Sequence, residues 1–352
     1  MPALLTSARA RLATIRAGRA TLPYLPGLDN IRAVGALGVC AYHFVAGLLP
    51  EREQVIFMRE LFSQVYLGIY IFFVLSGYVL PYSLLRQRYH VGHLWPFLKR
   101  RFVRINPPAY LAMLLVLAQW YGIDYFINHN DTYTRSLSAG RLLHNLLLTV
   151  DFTHYNWIVG ACWTLAIEWQ FYALSGVLFP VLYTHRHAGW WFVGLNLALS
   201  GIYFLLASSI PKFNYLTDAP LFALGGATLL WQQKRLSGLA YGASLVLFAT
   251  LTAYQIDLLT AKTALLTVLA ILVLNRPIPG LATIGKISYS LYLTHMLSGR
   301  MTEFLLVKFI TPTSDLHRVL IVSLCFVAAL SVAGLFYRWV EQPFHRWSGQ
   351  LK

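Results

Sequence analysis

The chain has 352 residues, of which 57% are hydrophobic and only 12% charged. Soluble domains carry about 25% charged residues, so a soluble globular enzyme is excluded and a polytopic membrane protein is expected. The net charge of +15 would point to nucleic acid in a soluble protein. In a membrane chain the same excess belongs to cytoplasmic loops and anionic lipid head groups, so membrane lipid is the expected partner and no nucleic acid is.

The chain begins with a basic stretch. Residues 1–26 hold Arg9, Arg11, Arg16 and Arg19 and no acid, and they lack the continuous apolar core of a signal peptide. The segment reads as a cytoplasmic helix lying on the membrane surface. Residues 27–346 form the membrane domain, and 347–352 are a short cytoplasmic tail.

A span needs about 20 mostly apolar residues. That ruler predicts an all-α, polytopic membrane helix bundle of about ten transmembrane helices, near 31–49, 66–85, 105–121, 161–183, 190–208, 218–232, 239–256, 261–275, 287–307 and 318–340. With the N-terminus inside, the inner segments hold about twice as many Lys and Arg as the outer ones, which places both termini in the cytoplasm. Trp95, Trp157, Trp190, Trp191, Trp231 and Trp347 fall near predicted helix ends, as an aromatic belt requires. The longest outer connection is 122–160. Its part RLLHNLLLTV is too short to span and reads as a surface or re-entrant helix. Cys40, Cys162 and Cys325 all lie in apolar runs and read as small buried hydrophobes, not as disulfides or metal ligands.

Ionisable groups at membrane depth are expensive and mark functional sites by default. The first span, LDNIRAVGALGVCAYHF, carries two of them, Arg32 and His43, eleven positions apart. Eleven helical residues return to nearly the same face and span roughly 16 Å. His43 lies six residues before the end of an outward-running span, and Glu168 seven residues into an inward-running one. Both sit roughly 10 Å below the outer edge. A carboxylate at that level would orient an imidazole and stabilise its cationic form. His295 is placed near mid-bilayer in the ninth span. In the basic loop RQRYHVGHLWPFLKRRFVR, Arg101 and Arg104 share a helix face at the cytoplasmic mouth of the third span. They serve either topology alone or the binding of a phosphate-bearing donor, since guanidinium forks match phosphate oxygens. Outer His129, His144 and His154 lack the pairing of a zinc helix, so no metal is expected. No glycine-rich phosphate loop and no GxSxG elbow occurs. A His and a Glu inside a bundle also suit a proton-coupled transporter, a reading weakened by the missing internal repeat.

Several motifs now line up in one order. LDNIRAVGALGVCAYHF resembles the first-helix signature of the membrane-bound acyltransferase 3 family, in which an Arg and a His stand eleven positions apart. IYIFFVLSGYVL (69–80) resembles its FFxLSG motif, and KRRFVRINPPAY (99–110) its RxxR loop, with Arg101 and Arg104 in the matching places. WTLAIEWQFYAL (163–174) is similar to its WSLxxExxFY motif and puts Glu168 on the family's acid. IGKISYSLYLTHM (284–296) and VEQPF (340–344) resemble its late motifs. Asn30 stands where the family has Gly and Thr164 where it has Ser.

The resemblance implies transfer of an acyl group, commonly acetyl from acetyl-CoA, onto a hydroxyl. The acceptor class is a sugar of a surface polysaccharide, lipopolysaccharide, nodulation factor or glycosylated natural product, and the location a bacterial inner (plasma) membrane. Some members carry a C-terminal extracellular SGNH domain. This chain ends just after the last predicted helix, so transfer is expected to finish within the bundle. The expected roles are His43 as general base with Glu168 orienting it, or His43 as an acylated relay. Arg32, Arg101 and Arg104 are expected on the acyl-CoA phosphates, and Trp163, Tyr289, Tyr292 and His295 as site walls or hydrogen-bonding residues, with core packing as the plainer role. The expected partners are a CoA thioester and a carbohydrate or glycolipid acceptor, with the oligomeric state open.

Overall fold

The structure, a computed structural model, describes residues 25–46, 67–211, 213–312 and 314–351. The predicted N-terminal surface helix lies outside the described residues, as do residues 47–66 between the first two predicted spans. All the regular elements among the described residues are helices. In order they are α1 (Gly27–Ala46), α2 (Gly68–Arg86), α3 (Leu94–Ile123), α4 (Ala139–Leu147), α5 (Cys162–Phe179), α6 (Ala188–Leu206) and α7 (Tyr215–Gln232). Then come α8 (Gly238–Gln255), α9 (Leu258–Val273), α10 (Leu281–Lys286), α11 (Ser288–His295), α12 (Met301–Leu306), α13 (Asp315–Phe336) and α14 (Gln342–Gln350).

A helix stands at each of the ten predicted spans. Five continuous helical runs among the described residues are long and apolar enough to cross a membrane: Gly68–Arg86, Val91–Ile127, Cys162–Thr184, Ala188–Leu206 and Asp315–Gln350. Their outer faces are apolar too. Leu205 is 83% exposed, and Leu114, Trp190 and Val327 are mostly exposed as well. Large apolar surface of this kind needs a cover other than water, and lipid supplies it. Two spans differ from expectation. The third starts at Leu94, because the run holding Lys99, Arg100, Arg101 and Arg104 is itself helical. The ninth is three pieces: α11, a π-helical turn Met296–Arg300, and α12. π turns carry one extra residue per hydrogen bond and recur at functional sites.

Helix starts follow local chemistry. Asn214 accepts from the amides of Leu216 and Thr217 at 2.8 and 3.2 Å, and Asp257 from Thr260 at 2.7 Å. Ser138, Ser237 and Ser314 cap α4, α8 and α13 in the same way. Each cap satisfies amides that a helix start leaves open and contributes about 1 kcal/mol.

The chain forms two compact units, with boundaries inside α1, α3 and α5 and at the start of α2 and the end of α10. Among the described residues the first covers 25–35, 69–98 and 167–285. Its centre is α7, buried along nearly its whole length. Glycines let α2 meet it backbone to backbone: a Cβ on Gly77 would stand 2.0 Å from the Phe222 carbonyl oxygen, and one on Gly225 2.1 Å from that of Val74. Such close approach through small residues is the usual solution where lipid removes the hydrophobic drive for helices to associate. Phe73 stacks on Phe222 at 5.0 Å, and Phe171 of α5 meets Phe222 at 4.4 Å. Tyr78 donates to Gln232 Oε1 at 2.6 Å inside this core.

Among the described residues the second unit covers 36–46, 67–68, 99–166 and 286–351. Here α11 packs on α13. Phe44 meets Phe326 edge-on at 5.2 Å, and Gln119 donates to the Leu297 carbonyl at 3.0 Å. Part of the long connection 122–160, expected on the outer side, is folded. The predicted short helix is α4, and its Arg141 is buried. That guanidinium donates to the carbonyls of Asn156 and Trp157 at 2.9 and 3.3 Å and to Ser136 Oγ, and lies over the Trp120 ring at 5.2 Å. Asn145 ties the same turn, accepting from the Ile158 amide at 2.8 Å.

Candidate functional site

In the first unit the FFVLSG and WTLAIEWQFY motifs meet at Glu168. Its Oε1 accepts from Ser76 Oγ at 2.6 Å and its Oε2 from Tyr172 OH at 2.8 Å. Tyr172 lies one helical turn on, so α5 supplies both acid and donor, and α2 supplies the serine. Two hydroxyl donors on two oxygens hold the carboxylate as an acceptor in a fixed orientation. Ser76 precedes Gly77, so one dipeptide both binds the acid and admits the neighbouring helix.

The same unit holds Arg32 at the start of α1. Its Nη1 lies 2.9 Å from Asp29 Oδ1, an i,i+3 pair whose acid is buried. Asn30 donates to the Arg276 carbonyl at 2.8 Å and accepts from the Ile278 amide at 2.9 Å. The residue that departs from the family's glycine therefore clasps the turn after α9.

In the second unit His43 and His295 come together. Their ring centroids lie 5.2 Å apart with planes tilted by 37°. His295 is 1% exposed. Its Nδ1 stands 2.8 Å from the Tyr292 carbonyl oxygen; a carbonyl only accepts, so Nδ1 carries the proton and Nε2 is the lone-pair nitrogen. Among the described residues Nε2 is buried with no hydrogen-bond partner. The last turn of α1 is held by Arg300, whose Nη1 reaches the His43 carbonyl at 3.4 Å and pairs with buried Glu303.

Motifs also pair around this site. Tyr292 OH shares a hydrogen bond of 2.8 Å with Thr164 Oγ1 and donates to the Ala161 carbonyl at 3.0 Å. Threonine keeps the hydroxyl that the family's serine would supply. Tyr289 donates to the Ile105 carbonyl at 2.7 Å, beside the two prolines of α3. Glu341 accepts from the Ser290 amide and hydroxyl at 3.1 and 2.5 Å. The hydroxyls of Tyr289 and Tyr292, expected as wall or hydrogen-bonding groups, are thus engaged in tying α11 down. Trp163 opens α5 beside Thr164 and is half-buried.

Arg101 and Arg104 lie on α3 as expected, half-buried and exposed respectively. Both act electrostatically on His345 of α14, and Arg100 donates to the Leu351 carbonyl at 3.4 Å. The C-terminal helix therefore adds a ring to the basic cluster. Sequence reasoning missed the Arg300–Glu303 pair and His345. The signal for the first was an Arg and an acid three apart near the end of an apolar span. All three cysteines are buried and unpaired, as expected.

Comparison with known proteins agrees with the motifs. The acyltransferase domain model of the acyltransferase 3 family matches residues 25–338. Peptidoglycan O-acetyltransferase OatA of Listeria monocytogenes is 26% identical over 394 aligned residues, which cover 94% of this chain and 57% of that protein. O-acetyltransferase OatA of Staphylococcus aureus is 28% identical over 184 aligned residues, covering 46% of this chain and 25% of that protein. The chain thus spans less than two thirds of the length of these relatives. No solved structure matches. The apolar helices and these relatives make it an integral membrane protein, and with the model matched over most of its length the chain belongs to the acyltransferase 3 family.

Proposed function

We propose that this protein is an integral-membrane O-acetyltransferase that moves an acetyl group from acetyl-CoA to a hydroxyl of a sugar or glycoconjugate, in the plasma membrane of a bacterium. A named relative is a peptidoglycan O-acetyltransferase, so a peptidoglycan sugar joins polysaccharide and lipopolysaccharide as an acceptor class. The observation that carries this reading is the His43 imidazole, set at the C-terminal end of the family's first motif beside a second, tautomer-fixed histidine.

In the proposed reaction His43 takes the proton of the acceptor hydroxyl as its oxygen attacks the thioester carbonyl. The new C–O bond forms, the C–S bond breaks, and the proton passes from the imidazolium to the leaving thiolate. General base catalysis of this kind contributes about 10²–10⁴-fold. Glu168 is the second catalytic group, held ready by Ser76 and Tyr172. Arg101 and Arg104, with Arg32, take the phosphates of the donor; their fork geometry favours phosphate oxygens. Trp163 contributes to the wall, with Tyr289 and Tyr292 fixing the helix that carries His295.

The test uses the full chain purified in detergent or nanodiscs, with acetyl-CoA and a peptidoglycan fragment or oligosaccharide. Acceptor-dependent release of free thiol, lost by about 10²-fold or more in His43→Ala, is expected. Undiminished release in that variant overturns the assignment. Solute flux in liposomes without thiol release would favour a transporter instead.

A further inference from the structure

Three features of His295 stand together. It is 1% exposed, its Nδ1 proton is committed to the Tyr292 carbonyl at 2.8 Å, and its Nε2 has no partner among the described residues. A buried acceptor left unsatisfied is destabilising, so a fold that keeps one has a use for it. The ring nearest to it in function is that of His43, at 5.2 Å between centroids. Two imidazoles joined in line by a hydrogen bond of ordinary length, about 3 Å, have centroids roughly 5 Å apart. The separation therefore suits an N–H···N bond, and rotation of the His43 ring about Cβ–Cγ selects which atom faces His295.

We propose that His295 is the positioning residue of His43: its Nε2 accepts the N–H of His43 and so leaves the other His43 nitrogen unprotonated toward the acceptor hydroxyl. The carbonyl of Tyr292 sets the His295 tautomer, His295 sets that of His43, and the acceptor proton then has one nitrogen to go to. After transfer, the His43 imidazolium keeps its second N–H on Nε2. That bond is charge-assisted and stronger than in the resting enzyme, so the pair favours the state in which His43 holds the proton. His295 itself neither gains nor loses a proton. Among the described residues the other charged and titratable groups near this pair are Tyr42, whose ring lies 5.2 Å from His43, Tyr292, whose ring lies 6.0 Å from His295, and Arg300 with its partner Glu303. This assignment rests on His43 being the base.

The experiment compares His295→Gln, His295→Leu and His43→Ala in the full chain, with kcat and donor KM measured for each. Glutamine can place a carbonyl oxygen where Nε2 stands and its N–H on the Tyr292 carbonyl; leucine fills the volume and accepts nothing. His295→Leu is expected to lower kcat 10- to 100-fold with donor KM within about twofold, and His295→Gln to recover most of that loss. In ¹⁵N spectra of the wild type, one ring nitrogen of His295 should resonate as an unprotonated acceptor. The proposal is overturned if the two His295 variants are equally active, whether both match wild type or both are dead while donor binding shows them folded. It is overturned also if both His295 nitrogens are protonated at neutral pH. If His43→Ala keeps full turnover, it is the base assignment that fails.

Discussion

Ser76 Oγ donates to Glu168 Oε1 at 2.6 Å, joining the second-helix motif to the acid of the fifth helix. Hydrogen bonds to charged groups contribute about 1.5–3 kcal/mol, so Ser76→Ala is expected to lower kcat by about 10- to 100-fold. Tyr172→Phe removes the donor to Oε2 and should cost a similar factor. Glu168→Gln keeps the shape but replaces an acceptor oxygen with a donor, which conflicts with a hydroxyl already donating. It should exceed either neighbour, at about 10² or more. Turnover of acetyl-CoA by the three variants checks the order. A Glu168→Gln enzyme more active than Ser76→Ala would remove the carboxylate from the proposed reaction.

Arg101 and Arg104 act together on His345, and that shared field is what a polyphosphate would meet. Arg101→Ala and Arg104→Ala are each expected to raise the donor KM about tenfold, with kcat at saturating donor changed far less. Lysine should recover little at either position, because a point charge does not reproduce a guanidinium fork. Raising salt from about 0.05 to 0.5 M should weaken donor binding in the wild type and less so in the double variant. Isothermal titration of CoA against the four proteins measures this. Equal affinity throughout would assign the arginines to topology alone.

The helices were readable from sequence because hydropathy is a sum over neighbours in the chain. Helical structure stands at each of the apolar stretches, even where α6 and α9 contribute little buried surface. Which helix faces which was not readable, since a helical face has no label for its partner. His295, expected only as part of the wall, stands beside His43, a neighbour that the depth of His43 in its span gave no hint of. Glu168 was legible as an acid in an apolar run, but its holders Ser76 and Tyr172 were visible only as letters of two motifs. The break of the ninth span into α11, a π turn and α12 left no mark in hydropathy. Asn30 and Thr164 looked like mild departures, and both use polar side chains to make specific bonds.

The close crossing of α2 and α7 depends on Gly77, where a Cβ would stand 2.0 Å from a backbone oxygen that cannot swing aside. Gly77→Ala is expected to destabilise the first unit by about 1–3 kcal/mol, since the backbones must separate. Gly77→Val should be worse. Gly122, also helical, has nothing within 4 Å of an added Cβ, so Gly122→Ala should be neutral or stabilising by about 0.5–1 kcal/mol. Thermal unfolding in detergent, followed by tryptophan fluorescence, compares them. If Gly77→Ala melts with the wild type, the crossing is looser than the structure shows. Lost turnover in Gly77→Ala should accompany its instability, because Ser76 and its bond to Glu168 ride on the same turn.

Asp151, in the connection 122–160, is a carboxylate in a poor place. Its Oδ1 accepts from Trp157 Nε1 at 3.0 Å, but its Oδ2 is buried with no partner among the described residues. Burial pushes the carboxyl above its ordinary value of 3.8, and the bond from Trp157 offsets only part of that. A folded-state pKa above the unfolded one means that the folded protein holds the proton more tightly. The contribution of Asp151 to stability is therefore fully present below about pH 3.8 and is lost as pH rises through the folded value. Above the folded value the group is ionised and its desolvation is a net cost. Asp151→Asn keeps an oxygen for Trp157 and has no charge to bury, so the variant should melt higher than wild type at pH 7. The difference should shrink as pH falls through the folded value and vanish below about pH 3.8. Because Trp157 lies in the strand of chain whose carbonyls hold Arg141, proteolysis of this connection should slow in the same variant. A variant that melts lower at pH 7, or whose gain does not fade in acid, would mean that the Asp151 charge stabilises this connection.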